Sequence, residues 1–154
     1  MTYQIEVRER PAQATLGIRT HSAVQDLPKV IPTANYTIAQ YLETLGQHPS
    51  GAPFAAYYNM DMQNLDVEIG FLSTKNVPGK GNIQPGSLPG GKAASCLHVG
   101  PYTGVGNAHT ALQDWMREKG YENMGAYYEI YLNDPANTPP DVLETEVLTF
   151  IKPS

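Results

Sequence analysis

Apolar positions along the chain follow two rhythms. Ala34, Ile38, Tyr41, Leu42 and Leu45 recur at the spacing that lays one stripe along a helix, and Gly46 follows as a C-terminal stop. Ala108, Leu112, Trp115 and Met116 do the same ahead of Gly120. A single shift carries Ala34 onto Ala108, Ile38 onto Leu112, Tyr41 onto Trp115, Leu42 onto Met116 and Gly46 onto Gly120. After each helix come two runs with the alternation of strands, "PFAAYYNMD" and "LDVEIGF" in the first half, "GAYYEIYLND" and "LETEVLTF" in the second. Before each helix stands one more, "QATLGIRTH" and "KAASCLHVG".

The order strand, helix, strand, strand is thus written twice. Leu65, Asp66 and Glu68 match Leu143, Glu144 and Glu146, while Tyr58 and Asp61 match Tyr131 and Asp134. An additional N-terminal strand, "YQIEVRE", is expected to pair within its own half. The reading is a single α+β domain over residues 1–154, a duplicated strand-helix-strand-strand repeat with pseudo-twofold symmetry and an antiparallel sheet. Its first repeat covers about 1–75, a connector about 76–91 and the second repeat about 92–154. The connector, "NVPGKGNIQPGSLPGGK", is dense in Gly and Pro and holds at most a short strand around Ile83. It lacks the strand-to-helix context and the Lys-Ser/Thr ending of a phosphate-binding loop. Two copies of this kind are expected to leave a central cleft suited to a small ligand.

In "AYYEIYLNDP" the alternation places Tyr127, Glu129 and Tyr131 on one strand face and Tyr128, Ile130 and Leu132 on the other. One face reads as core, and the other holds an acid between two phenols. On the strand matching above, Glu129 falls on Ala56, so one half carries a carboxylate where the other carries a methyl. Aromatic rings offer apolar area and negatively polarised faces, and a carboxylate offers full charge, a combination that suits a flat hydrophobic cation.

Composition narrows the field. The 154 residues are 41% hydrophobic and 16% charged, enough for one core. Ten Lys and Arg stand against fifteen Asp and Glu, and the basic residues are scattered, which argues against nucleic-acid binding. Cys96 is the single cysteine, so no internal disulfide forms; the start "MTYQIEVRER" lacks a signal sequence, and no apolar run spans a bilayer. A cytoplasmic protein without a membrane partner is expected.

Other candidate chemistry is thin. Cys96 and His98 share a strand face, but their Cβ atoms stand about 6–7 Å apart in strand geometry, too far for a catalytic dyad. His21, His48, His98 and His109 show no paired spacing, and no Cys-x-x-Cys accompanies them, so neither a metal nor another cofactor is expected. Glu144 reads as a solvated strand residue, His98 as a satisfied hydrogen-bonding group near a strand end, and Trp115 as core.

The stretches "GKAASCLHVGPYTGVGNAHTALQDWMREKGYE" and "YYEIYLNDPANTPPDVLETEVLTFIKP" resemble the second half of the GyrI-like small-molecule-binding domains. That family includes the effector-binding domains of multidrug-sensing transcription activators and also stand-alone proteins. The "HVGPY" turn, the helix ending near "KGY", the "EIYLNDP" strand and the closing "TEV" strand occur in the family's order. The resemblance implies that Glu129 lies in the cleft and faces ligands. It makes Tyr127 and Tyr131 its neighbours and Tyr58, Phe54 and Tyr102 further wall residues. The chain shows no DNA-binding segment beside these repeats, so a stand-alone binder of small hydrophobic or cationic aromatic molecules is expected, with a separate regulatory protein as a conceivable partner. The alternative is a hydrolase that opens strained, cyclopropane-type rings, with Glu129 activating water and Tyr131 or Tyr102 donating to a developing oxyanion.

Overall fold

The computed structural model describes residues 2–154. In chain order the elements are β1 (Glu6–Arg10), β2 (Gln13–Ser22), α1 (Leu27–Thr44), β3 (Pro53–Tyr57), β4 (Leu65–Leu72), β5 (Ile83–Leu88), β6 (Gly91–Val99), α2 (Val105–Lys119), β7 (Tyr121–Tyr131) and β8 (Glu144–Pro153). Both repeats are present as strand-helix-strand-strand, an α+β fold in which every recorded strand pairing is antiparallel.

The chain forms two compact units, one of Ala12–Pro89 and one of Gly90–Ser154 together with the residues up to Pro11. In the first, the strands run in the order β3-β4-β2-β5; in the second, β1-β6-β8-β7. Two strands therefore differ from expectation. β1 does not pair within its own half: Glu6 sits opposite Ser95 and Arg10 opposite Gly91, on β6. Conversely, the connector contains a full strand, since β5 pairs along β2 from Gln13–Leu88 to Ile18–Ile83. The strand ahead of each repeat thus completes the sheet of the other. Alternation within five residues sets which side faces inward but carries no information about the partner, which is decided by the edge left free. Both are edge strands and carry edge chemistry: β1 has the charged sequence EVRER, and β5 contains Pro85.

In the second unit, α2 covers one sheet face with Ala108, Leu112 and Met116, which cluster with Ala94, Cys96, Tyr127, Val147 and Ile151. Leu112 and Val147 are wholly buried. The helix ends at Gly120, whose left-handed φ of 77° lets its N–H reach the Met116 carbonyl, a conformation costly for residues with a Cβ. Trp115 is at the margin of this core, stacked on Tyr121 at 5.7 Å.

In the first unit, α1 buries Leu27, Ala34, Ile38 and Leu42. It starts a full two turns before the predicted stripe because Pro28 stands in the first turn, where a missing N–H costs nothing. Registers allow the two units to be superposed by row. With Glu68 matched to Glu146, β3 places Ala55 opposite Ile69 and β7 places Glu129 opposite Val147. Ala55, not Ala56, therefore takes the place of Glu129, and Tyr57, not Tyr58, that of Tyr131. The shift that joins Ala34 to Ala108 also joins these pairs.

Candidate functional site

Tyr127, Glu129 and Tyr131 project from β7 to the face covered by α2, alongside Val147 and Thr145 of β8. The opposite face, with Tyr128 and Ile130, is buried as well, so from Ala126 to Tyr131 both faces of this strand are buried. Leu132 lies past the strand end and is half exposed, which departs from the expected core position. Two extra residues between Asn123 and Tyr127 interrupt the ladder with β8, and Gly125, at φ 137°, makes the bend.

Glu129 is 6% exposed, a carboxylate almost wholly removed from water. Such burial is costly unless hydrogen bonds replace hydration. Both oxygens have replacements. Tyr131 donates its hydroxyl to Oε1 at 2.7 Å, and Nε2–H of His109 on α2 donates to Oε2 at 2.7 Å. The imidazole forms an ion pair with the acid whenever it is protonated. The Tyr127 ring stands edge-on to His109 at 6.0 Å, and the Tyr102 ring edge-on to Tyr131 at 5.5 Å. Four of the expected residues, Glu129, Tyr127, Tyr131 and Tyr102, therefore gather in one unit. Tyr102, in the turn that leads into α2, is the most exposed of them at 36%. Its phenol is held above its ordinary pKa by burial and by the nearby Asp134 charge.

Phe54 and Tyr58 belong to the other unit and to the sheet face opposite that of Ala55 and Tyr57. Tyr58 donates to Glu68 at 2.7 Å and lies under the Arg19 guanidinium at 3.9 Å. A slip of one residue in matching the Tyr-Tyr doublets reverses the face. Tyr57 is the residue that the register aligns with Tyr131.

His109 was legible only as an isolated histidine. The signal that singles it out is its place in the repeat: the shift that joins Ala34 to Ala108 joins Asn35 to His109. The pair His109 and Glu129 thus replaces Asn35 and Ala55 together.

The remaining candidates have structural partners. His98 accepts the Tyr3 hydroxyl at Nδ1 (2.9 Å) and donates Nε2–H to the Pro101 carbonyl (3.0 Å). Cys96 is buried beneath α2 with Sγ 3.7 Å from the Ala108 carbonyl oxygen, and burial, with a smaller push from Glu146, raises its thiol to about 11. Glu146 forms a two-pronged ion pair with Arg10 of β1. Among the described residues no group of three or more His, Cys, Asp or Glu side chains is placed to hold a metal ion, and no helix is long and apolar enough to cross a membrane. Two surface hollows flank α2. One of about 450 Å³ is bounded by Met116, Tyr121 and Tyr127, the other of about 570 Å³ by Tyr3, Asn107 and Asp114. Neither is lined by Glu129; the first meets the site only at Tyr127.

The model of the GyrI-like small molecule binding domain matches residues 3–152, and the chain belongs to this family. Among solved structures it is similar to the EcmrR C-terminal domain, with a TM-score of 0.84 and 24% identity over 100% of both chains. It is also similar to EcmrR in its complex with DNA, with a TM-score of 0.81 and 23% identity over 99% of this chain and 58% of that one. A third similar structure, SAV2435 bound to tetraphenylphosphonium, has a TM-score of 0.69 and 12% identity over 99% and 94% of the two chains. At these identities the likeness is one of fold. No curated protein matches the sequence.

Proposed function

We propose that this GyrI-like domain binds amphipathic aromatic or cationic small molecules, with Glu129 as the charge anchor and Tyr127, Tyr131 and Tyr102 as its aromatic surround. The observation that carries the reading is a carboxylate 6% exposed, held by a phenol and an imidazole and ringed by aromatic side chains. A lipophilic cation gains Coulomb attraction to the acid in a site poor in water and roughly 0.5–2 kcal/mol from each ring face it covers. That SAV2435, a protein of the same fold, has been seen with tetraphenylphosphonium supports the choice of ligand class.

A fluorescence titration with a planar rhodamine-type cation tests it. Wild type is expected to bind in the micromolar range and Glu129→Gln about tenfold or more weakly, roughly 1.4 kcal/mol. Equal affinity of the two would remove Glu129 from the role of anchor.

A second reading uses the same residues. Carboxylate, imidazole and phenol within hydrogen-bond distance are an acid–base set, which is the chemistry that hydrolysis of an electrophilic, ring-strained substrate would use. Water activated at Glu129 would attack the ring carbon as the strained bond breaks, and the Tyr131 or Tyr102 hydroxyl would stabilise the oxyanion that receives the electrons. Product formation lost in Glu129→Gln with binding retained is the expected result; intact substrate after long incubation with excess wild type would dismiss this reading.

A further inference from the structure

The carboxylate assigned as anchor for a cation is already occupied by a group that can itself become a cation. Nε2 of His109 stands 2.7 Å from Glu129 Oε2, with the two side chains 14% and 7% exposed. A ligand cation that reaches this carboxylate must take the imidazole's place or share the charge with it. From this geometry we propose that His109 is the specificity-determining residue of the site. Protonated, it is an internal competitor for Glu129; neutral, it yields the carboxylate to an external cation. The proposal rests on the reading of Glu129 as a cation anchor and adds to it the condition under which the anchor is free.

The repeat supplies an independent observation. On α1, the place of His109 is taken by Asn35, an amide that does not titrate, and on β3 the place of Glu129 is taken by Ala55. The titrating group and the acid occur together in one unit and are absent together from the other. A histidine required merely to fill the space beneath a helix would not need an acid as partner.

The sign follows from linkage. While His109 is protonated and paired, arrival of a ligand cation places two positive charges at one carboxylate, which lowers the imidazole's hold on its proton. Binding then releases a proton, and affinity for a permanent cation rises with pH, by up to about tenfold per pH unit for one proton. The rise flattens once His109 is neutral in free and bound protein alike. Imidazole is the side chain whose charge ordinarily changes between about pH 5 and 8.

Other titratable and polar groups stand on the elements packed against α2. From β7 these are Tyr127 and Tyr131, beside Glu129 itself. From β6 they are Cys96, with its thiol at about 11, and His98, satisfied by Tyr3 and Pro101. The inward positions Thr145, Val147 and Thr149 of β8 carry no charge. The Tyr102 and Tyr3 phenols are both held above their ordinary values, chiefly by burial. On α2 itself, Asp114 and Arg117 are exposed and paired with each other.

The test is calorimetric titration of tetraphenylphosphonium, whose charge does not depend on pH, into wild type, His109→Gln, His109→Ala and Glu129→Gln between about pH 5 and 8. Gln keeps a donor for Glu129 but does not titrate, and circular dichroism checks that each variant is folded. Wild type is expected to gain at least tenfold in affinity across the range and to release protons, as read by repeating the titration in buffers of different ionisation enthalpy. Both His109 variants are expected to show a flat profile, with His109→Ala the tighter binder at the acid end. A wild-type profile without slope, or a slope retained in His109→Gln, overturns the proposal; the latter would assign the proton to a group other than His109. Glu129-dependent binding with either result leaves the anchor reading intact, whereas no binding by any variant at any pH overturns both.

Discussion

Replacing Tyr131 with Phe removes one hydroxyl and, with it, the hydrogen bond to Glu129. That bond is 2.7 Å long and ends on a carboxylate oxygen, with donor and acceptor residues 9% and 6% exposed. Water has little access to replace it. A hydrogen bond to a charged acceptor contributes about 1.5–3 kcal/mol net, and leaving a buried acceptor unsatisfied costs a similar amount. Taking about 2 kcal/mol, and a denaturant slope of about 2 kcal/mol/M for a chain of this size, the urea midpoint of Tyr131→Phe is expected to fall by about 1 M with the slope unchanged. Tyr36→Phe is the control. Tyr36 is 64% exposed and only accepts a hydrogen bond from Gln40, so its removal is expected to move stability by less than about 0.5 kcal/mol. Urea unfolding followed by circular dichroism reads both. A Tyr131→Phe midpoint within about 0.2 M of wild type would mean that Glu129 does not depend on this donor, and would refute the account of how the buried acid is held.

Three further expectations follow from individual groups. Cys96, buried and raised to about 11, is expected to resist iodoacetamide at pH 8 in the native protein and to react readily in urea; ordinary thiol rates without denaturant would contradict its placement. Gly120→Ala, at φ 77°, is expected to cost about 1 kcal/mol and lower the melting temperature by a few degrees, and an unchanged melting temperature would refute the cap assignment. The Arg19 guanidinium holds the Asp66 carboxyl below its ordinary range, so this pair stabilises the fold above the unfolded carboxyl value and loses its contribution as pH falls through the lower folded one. Asp66→Asn is therefore expected to narrow its deficit in stability below about pH 3. The effect is small and weakens in salt, because Arg19 is 57% exposed.

Local chemistry made much of this fold legible. Ala108, Leu112 and Met116 form the buried stripe that their spacing predicts, and Gly120 ends the helix. Tyr127, Glu129 and Tyr131 share a face because strand parity admits no other arrangement. Partnership is what a single stretch does not encode. β1 is expected within its own half and the connector to hold at most a short strand around Ile83, whereas β1 pairs with β6 and β5 along β2, because distant edges settle the pairing; the apolar stripe of α1 begins at Ala34, two turns into a helix that starts at Leu27. The match of Tyr58 to Tyr131 failed by one residue, which exchanges sheet faces, so that Tyr57 takes the aligned place and Tyr58 pairs with Glu68. The role of His109 is not legible locally, because a histidine without metal-ligand spacing has no local signature. Its meaning lies in an acid twenty residues further along, brought to it by the packing of α2 on β7.

Whether Glu129 selects for charge is read from a paired calorimetric comparison. Tetraphenylphosphonium and the neutral triphenylphosphine oxide offer similar rings with and without a net charge, and each is titrated into wild type and Glu129→Gln. Wild type is predicted to prefer the cation by about tenfold or more, roughly 1.4 kcal/mol, and the variant to lose that preference. Equal affinity of wild type for the two, or a preference that survives in Glu129→Gln, would contradict the account.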